Sequence, residues 1–340
     1  MFNDTLHPER PKWIAYPTIG YAPETSWELG VSSVLVYYAK RDTSNRLSEA
    51  SGFGFVTLEG QFGAKIEHAL YSNENKWLSI GLIKMQSYPL SFYGIGTSIS
   101  QEPLGIANAN FLIVRERLLN QVKGDWYLGL ELDYQGLSNV NFDWAGRPYS
   151  GEILGKDGYT NLGLGGGLIY DSRHNVLNVR NGALFEIGYL IYRPTWGSTN
   201  RINTLFLDNR YFWKTSKKNV FAIQGVGQFS DGAVPFNQLS MIGGEMMMRG
   251  YYLGKYRDRN MFAVQAEHRW LPFKFSKRFG GAIFASVGSV APNLNFDKLL
   301  WSAGAGLRVL LFPKRDVFSR LDLALNPNGY GIYFFIGEAF

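Results

Sequence analysis

The stretch Trp126-Tyr127-Leu128-Gly129-Leu130-Glu131-Leu132-Asp133-Tyr134-Gln135 decides the fold. Trp126, Leu128, Leu130, Leu132 and Tyr134 fall on one face, and Tyr127, Gly129, Glu131, Asp133 and Gln135 on the other. Alternation of this kind is the period of a strand, not of a helix. The apolar face has aromatic residues at its ends and leucines between them. That is the pattern of a strand crossing a bilayer, with aromatic belts at both interfaces.

The same alternation recurs along the chain. Leu321, Leu323 and Leu325 oppose Arg320, Asp322 and Asn326. Phe262, Val264 and Ala266 oppose Met261, Ala263, Gln265 and Glu267, and Leu162, Leu164, Leu168 and Tyr170 oppose Gly163, Gly165, Gly167 and Asp171. Strands surrounded by lipid must pair every backbone group internally, so they have to close into a barrel. Sixteen antiparallel strands are expected, each of about 10 residues in the membrane. They begin near Trp13, Glu28, Gly52, Gly63, Trp77, Phe111, Trp126, Tyr159, Ala183, Asn203, Val220, Asn260, Phe279, Trp301, Arg320 and Tyr330. The fold class is therefore all-β, a 16-stranded transmembrane barrel over residues 13–340, behind a short periplasmic segment at 1–12. Short connections such as Asn73–Lys76, Lys123–Asp125 and Thr215–Asn219 are expected on the periplasmic side, and longer ones outside.

Composition agrees with this class and narrows the function. The 340 residues include no cysteine, 39 glycines and 16% aromatics, with only 18% charged residues. No apolar run reaches the ~18 residues of a membrane helix. The N-terminal Met1-Phe2-Asn3-Asp4 has no signal-peptide character. A net charge of +6 is scattered through turns and makes no basic stripe, so no nucleic-acid partner is expected. Gly163-x-Gly165-Gly166-Gly167 lacks the Lys-Ser/Thr of a phosphate loop. Asp171, Ser172 and His174 are too close in sequence to converge as a triad, and no histidine–carboxylate set has metal spacing. No enzyme activity, metal or cofactor is expected.

One long connection, Asp231 to Arg259, interrupts the hairpin rhythm. It carries Gly243-Gly244-Glu245-Met246-Met247-Met248-Arg249-Gly250-Tyr251-Tyr252, in which no repetitive structure is legible, and long ordered loops tend to carry function.

With the strands placed, the chain resembles the BamA/TamA superfamily of outer-membrane barrels. Met248-Arg249-Gly250-Tyr251 is similar to that family's [VI]-R-G-[FY] motif and falls in the sixth outer loop, between the eleventh and twelfth strands. Glu267 resembles the acidic residue of the twelfth strand. Tyr170-Asp171-Ser172-Arg173-His174-Asn175 with Asn181-Gly182 resembles the D-x-R-x-N…G turn after the eighth. Tyr333-Phe334-Phe335-Ile336-Gly337-Glu338-Ala339-Phe340 resembles the closing strand, with Phe334, Ile336, Gly337 and the terminal Phe340 as its recognition signal. Tyr21-Ala22-Pro23-Glu24-Thr25 and Phe92-Tyr93-Gly94-Ile95-Gly96 match less sharply. The chain departs from the pattern by lacking room for POTRA domains before the first strand, as a barrel-only branch or a truncated chain would. It departs again at Phe284-Ala285-Ser286-Val287-Gly288, where Ser286 replaces an acid.

The resemblance implies a sixth loop folded into the lumen. Arg249 then needs an anion, and inward-facing Glu267 is the expected partner, with Ser286 as a third acceptor. A wet lumen predicts a strength between that of a solvated and a buried pair. Gly163, Gly165 and Gly167 are expected to leave room for the plug, and Met246, Met247 and Met248 to pack on the wall. Arg249 either staples the loop or takes part in gating. Pro17 has no N–H for a ladder and, with Gly20, Gly331 and Gly337, predicts a weak seam between the first and last strands. The alternative is that Pro17 marks a strand start or a bulge. The resemblance implies a protein of the outer membrane, in contact with its lipid, that assists insertion or translocation of client polypeptides. A secretion pore or channel gated by the loop, or a structural subunit beside periplasmic or lipoprotein partners, stands as the alternative.

Overall fold

The computed structural model describes residues 7, 9–22, 26–146, 148–173, 178–313 and 316–340. Sixteen strands form one antiparallel sheet in chain order. They are β1 (Lys12–Ala22), β2 (Ser26–Tyr38), β3 (Leu47–Thr57), β4 (Phe62–Tyr71), β5 (Trp77–Phe92), β6 (Gly105–Lys123), β7 (Trp126–Trp144), β8 (Tyr159–Asp171), β9 (Gly182–Tyr192), β10 (Ile202–Lys214), β11 (Asn219–Gly232), β14 (Asn260–Trp270), β15 (Phe279–Ala291), β16 (Leu300–Phe312), β17 (Val317–Asn326) and β18 (Gly329–Ile336). Between β11 and β14 the long loop forms a two-stranded ribbon of its own, β12 (Ser240–Ile242) with β13 (Tyr256–Asp258). The fold is the all-β, sixteen-stranded antiparallel sheet expected of a transmembrane barrel. β1 and β18 are its two end strands, and no ladder joins them among the described residues.

The alternation sorts side chains as the sequence predicts. Leu128 and Leu130 are exposed, whereas Tyr127, Glu131 and Asp133 are buried. Leu321, Leu323 and Leu325 project outward while Arg320, Asp322 and Ala324 are buried. The core is therefore the lumen: buried arginines, carboxylates and amides line it between apolar clusters, unlike the wholly aliphatic core of a soluble domain. Charged groups gather there because the outer face is reserved for hydrocarbon, which cannot solvate them.

Four expectations are corrected. β6 starts six residues before Phe111 and β3 five before Gly52, so β5, β6 and β7 run to 16, 19 and 19 residues. Their outer ends are held by a cluster of Phe92, Phe111, Leu137, Tyr159 and Phe236. The loop read as irregular contains the β12–β13 ribbon, whose three-residue strands are too short for periodicity to register. Connection length follows side only in the main: the longest connections, 93–104, 145–158 and 233–259, are outer, but the outer turn 58–61 is as short as the inner turn 72–76. The long inner connection from Ser172 to Asn181 exists to dock, since its Arg180 donates to both carboxylate oxygens of Asp316 at 2.7 Å. Gly163 and Gly167 make room for Tyr192 and Glu131, not for the loop. A Cβ on Gly163 would lie 2.5 Å from the Tyr192 ring, and one on Gly167 would lie 2.0 Å from Glu131 Oε1.

Candidate functional site: a loop arginine in a buried charge cluster

The loop enters the lumen through backbone conformations that side chains disfavour. Gly243 (φ +116°), Gly244 (+103°) and Gly250 (+103°) are all left-handed, and a Cβ on Gly243 would meet the Tyr252 carbonyl at 2.6 Å. Met248 is also left-handed (φ +54°) and is fully buried. Met248 and Tyr251 pack with Met261 and Ala263 of β14, Val290 of β15 and Leu300 of β16. Met247 borders this cluster, whereas Met246 is exposed and instead offers its carbonyl to Gln265 Nε2 at 2.8 Å. Tyr251 Oη donates to the Trp301 carbonyl at 3.0 Å. The Gly250 N–H donates to Tyr333 Oη (2.9 Å), and the Gly250 carbonyl accepts from Asn326 Nδ2 (2.7 Å). The tip is thus fastened to β14, β16, β17 and β18.

Arg249 is the centre. Its Nη2 donates to Glu267 Oε2 at 2.5 Å and its Nη1 to Asp322 Oδ2 at 2.6 Å. Its guanidinium lies 3.4 Å from the centroid of the Phe284 ring. The side chains of Arg249, Glu267 and Asp322 are all 0% exposed. The pair expected in a wet lumen is therefore dry, in the regime where breaking it costs most. Glu267 also accepts from Arg269 Nε (2.7 Å) and Arg308 Nη2 (3.2 Å), and Asp322 from Arg308 Nη1 (2.5 Å) and Arg320 Nη1 (2.8 Å). Glu338 closes the set on Arg308 Nε at 2.9 Å. Four guanidiniums thus share three carboxylates. Carbonyl oxygens satisfy part of the remainder: Arg320 donates to Glu245 O and Arg269 to Phe340 O, each at 3.0 Å.

Glycines in the wall make this density of charge fit. Gly306 is opposite Asp322, and a Cβ there would stand 2.0 Å from Oδ1. Gly304 is opposite Phe284, and a Cβ there would enter the ring at 2.4 Å. Bare positions on β16 therefore admit both the carboxylate and the aromatic plate beneath Arg249.

Ser286 does not reach Arg249. It shares a hydrogen bond of 2.7 Å with Ser302, and Asp322 on β17 occupies the second acceptor position. Parity already placed Asp322 inward; nothing in a single strand's pattern says which inward residue meets a loop from another strand. The sequence reading also missed Phe284, Arg269, Arg308, Arg320 and Glu338.

The proposed seam residues fall in different places. Pro17 is exposed within β1, opposite Val31 of β2, and Gly20 is opposite Glu28. Gly331 lies within β18, where a Cβ would strike Tyr333 Oη at 2.5 Å, so its bareness lets that hydroxyl reach Gly250. Gly337 is not in a strand. It follows β18 with φ +96°, and its N–H donates to the Phe318 carbonyl at 2.8 Å. Phe334 and Ile336 project outward from β18. Phe340 is not on the closing strand but turned inward, buried with Val179, Phe212, Val220, Ala222 and Ala339. The left-handed Gly337 permits this turn, and the Arg269 guanidinium over the Phe340 ring (4.9 Å) holds its end. In the turn after β8, Asp171 accepts from Arg173 N and Nε at 3.0 and 2.9 Å; His174 and Asn175 lie outside the described residues.

A second charged network lines another part of the lumen, with Arg115 only part-buried. Arg115 pairs with Asp133 (2.8 Å), Arg117 with Glu131 (2.9 Å) and Glu186, and Tyr192 Oη donates to Asp133 at 2.6 Å. Two cavities of about 420 and 340 Å³ adjoin it, both lined by Arg115, Arg117 and Phe206. Among the described residues, no group of three or more histidines and carboxylates is arranged to hold a metal ion.

Fold and site together define a polar-lumen barrel of sixteen strands, occupied by an inward loop with an arginine at its tip. Residues 59–340 match the Omp85 superfamily domain, and the chain belongs to that superfamily of outer-membrane barrels. Among solved structures, the chain is similar to BamA from Haemophilus ducreyi lacking POTRA domains 1–3 (TM-score 0.60, 16% identity, covering 96% of this chain and 69% of that one). It is also similar to CdiB from Escherichia coli (0.60, 12%, 96% and 62%) and CdiB from Acinetobacter baumannii (0.62, 13%, 96% and 59%). The chain thus spans less than two thirds of the length of both CdiB structures. No curated protein sequence matches it.

Proposed function

We propose that this chain is a non-enzymatic device for inserting or translocating polypeptides in the outer membrane, acting at the junction of β1 and β18 while the Arg249 loop sets the state of the lumen. One observation carries the reading: Pro17, which has no N–H to give a ladder, sits within β1, an end strand of the sheet. A strand edge weakened in this way is a template on which another chain can add a strand. Membership of the Omp85 superfamily supports the same reading. Client polypeptides are the partners, and periplasmic or lipoprotein subunits are the proposed auxiliaries.

The chain has no cysteine, so one introduced on β1 and one on β18 form the only disulfide. Locked in this way and reconstituted in liposomes, the barrel is expected to lose insertion of a test barrel and to regain it on reduction. Unchanged insertion with the lock closed would defeat the proposal. A second reading, a secretion pore opened by displacement of the loop, draws on the two lumenal cavities beside the plug.

A further inference from the structure

The wall made by β4, β5 and β6 carries three polar side chains on its outer face. His68, Gly81, Glu116 and Leu132 are successive cross-strand partners on β4, β5, β6 and β7, and Leu132 is exposed on the outward stripe. Partners directly opposite share a face, so His68 and Glu116 face outward. Ser79, two residues before Gly81, faces the same way. Their outward neighbours are Ile66, Ile83 and Leu118, all exposed apolar residues. The charged residues Lys65, Lys84, Arg115 and Arg117 of the same strands have the opposite parity, and the two arginines line both lumenal cavities, the larger of which His68 and Gly81 also border.

The three side chains meet. Ser79 Oγ donates to Glu116 Oε1 at 2.7 Å and is 2.9 Å from His68 Nε2, which is 3.3 Å from the same Oε1. The contact depends on Gly81 between them. A Cβ there would stand 2.2 Å from His68 Cε1 and 2.3 Å from Glu116 Oε2. Among the described residues, Glu116 Oε2 and His68 Nδ1 have no hydrogen-bond partner, and the Glu116 side chain is 43% exposed. A carboxylate open on a lipid-facing wall, with no lysine or arginine beside it, calls for a cation from outside the chain.

We propose that the trio seats the headgroup of a phospholipid bearing a primary ammonium. The ammonium donates to Glu116 Oε2 in a charge-assisted hydrogen bond. The headgroup phosphate accepts from Nδ1–H of a doubly protonated His68, whose Nε2–H faces Ser79 and Glu116. Carboxylate, imidazolium, ammonium and phosphate then sum to zero charge, as an apolar surrounding requires. The site lies inside the aromatic belt: Gly81 is four residues beyond Trp77, roughly 10 Å along the barrel axis for a tilted strand, so the headgroup is drawn inward to meet it. The outward apolar residues of β4 are only Phe62, Ala64, Ile66 and, past His68, Leu70, a short band over which a bilayer thins.

The test is retention of lipid by the purified barrel in native mass spectrometry, from micelles holding equal amounts of phosphatidylethanolamine, phosphatidylcholine and phosphatidylglycerol. The wild-type chain is expected to retain the ethanolamine lipid over the choline lipid by about tenfold, since the quaternary ammonium has no N–H to donate. Glu116→Gln is expected to lose that preference, and His68→Gln to retain less of both lipids, while each keeps the heat-modifiable migration of a folded barrel. Equal retention of the two lipids, a preference for the glycerol lipid, or an unaltered preference in folded Glu116→Gln would overturn the proposal. Release of fatty acid from the same lipids, abolished by Ser79→Ala, would also overturn it, by making the trio a hydrolase.

Discussion

Arg249 binds two carboxylates that belong to strands far apart in sequence, Glu267 on β14 and Asp322 on β17. One guanidinium therefore ties the loop to two places on the wall, over the Phe284 ring. Because all three charged groups are dry, removing the arginine leaves two carboxylates short of a partner. Arg249→Ala is expected to destabilise the folded barrel by about 3–5 kcal/mol, read from urea unfolding in detergent. Asp322→Ala is expected to cost a comparable amount, and the double variant less than the sum, with a coupling of about 0.5–3 kcal/mol. Strict additivity, or an unchanged midpoint in Arg249→Ala, would show that the contact carries no stability. Arg249 and Glu267 were legible as an inward charge and its nearest inward acid. Asp322 was legible only as inward, because its meeting with the loop depends on how the wall curves. Ser286 was misassigned because motif position was read as proximity.

At the scale of elements, the loop is a plug with a short ribbon as its stem and the hydrogen bonds of Glu245, Met246, Arg249, Gly250 and Tyr251 to the wall as its seat. The ribbon is also joined to the loop after β5, through the Gly96 N–H on the Arg257 carbonyl at 2.8 Å. Deleting Gly243–Lys255 removes the seat and leaves the barrel strands intact. Single-channel conductance is expected to rise severalfold, because the freed volume adjoins cavities already present. Conductance no higher than that of the intact chain would mean that the second charged network, around Arg115, Arg117 and Glu131, closes the lumen by itself. β18 is the other element that sequence described incompletely. Its outward aromatic stripe was legible; the inward turn of Glu338–Phe340 was not, since a left-handed glycine after a strand permits many directions. Buried Arg269 and Arg308 choose this one.

Across the whole molecule, strand order, count and facing were legible because lipid imposes one rule on nearly all of the wall: apolar outside, anything tolerable within, with His68, Ser79 and Glu116 as the exception on β4, β5 and β6. The rule fails where the strands leave the membrane. Asn108 and Asn110 lie on the outward side of β6, and the expected start at Phe111 reflects where the apolar stripe begins, not where pairing begins. Lumenal chemistry was less legible, since it joins residues from strands that never pair. Every part of the account requires acyl chains around the outward stripe. The direct measurement is nitroxide accessibility in reconstituted bilayers, with single labels at Leu130, Val264 and Leu323 of the cysteine-free chain. The account predicts that oxygen reaches all three labels far more readily than a water-soluble nickel complex does. Nickel access equal to or greater than oxygen access at these mid-strand positions would contradict it.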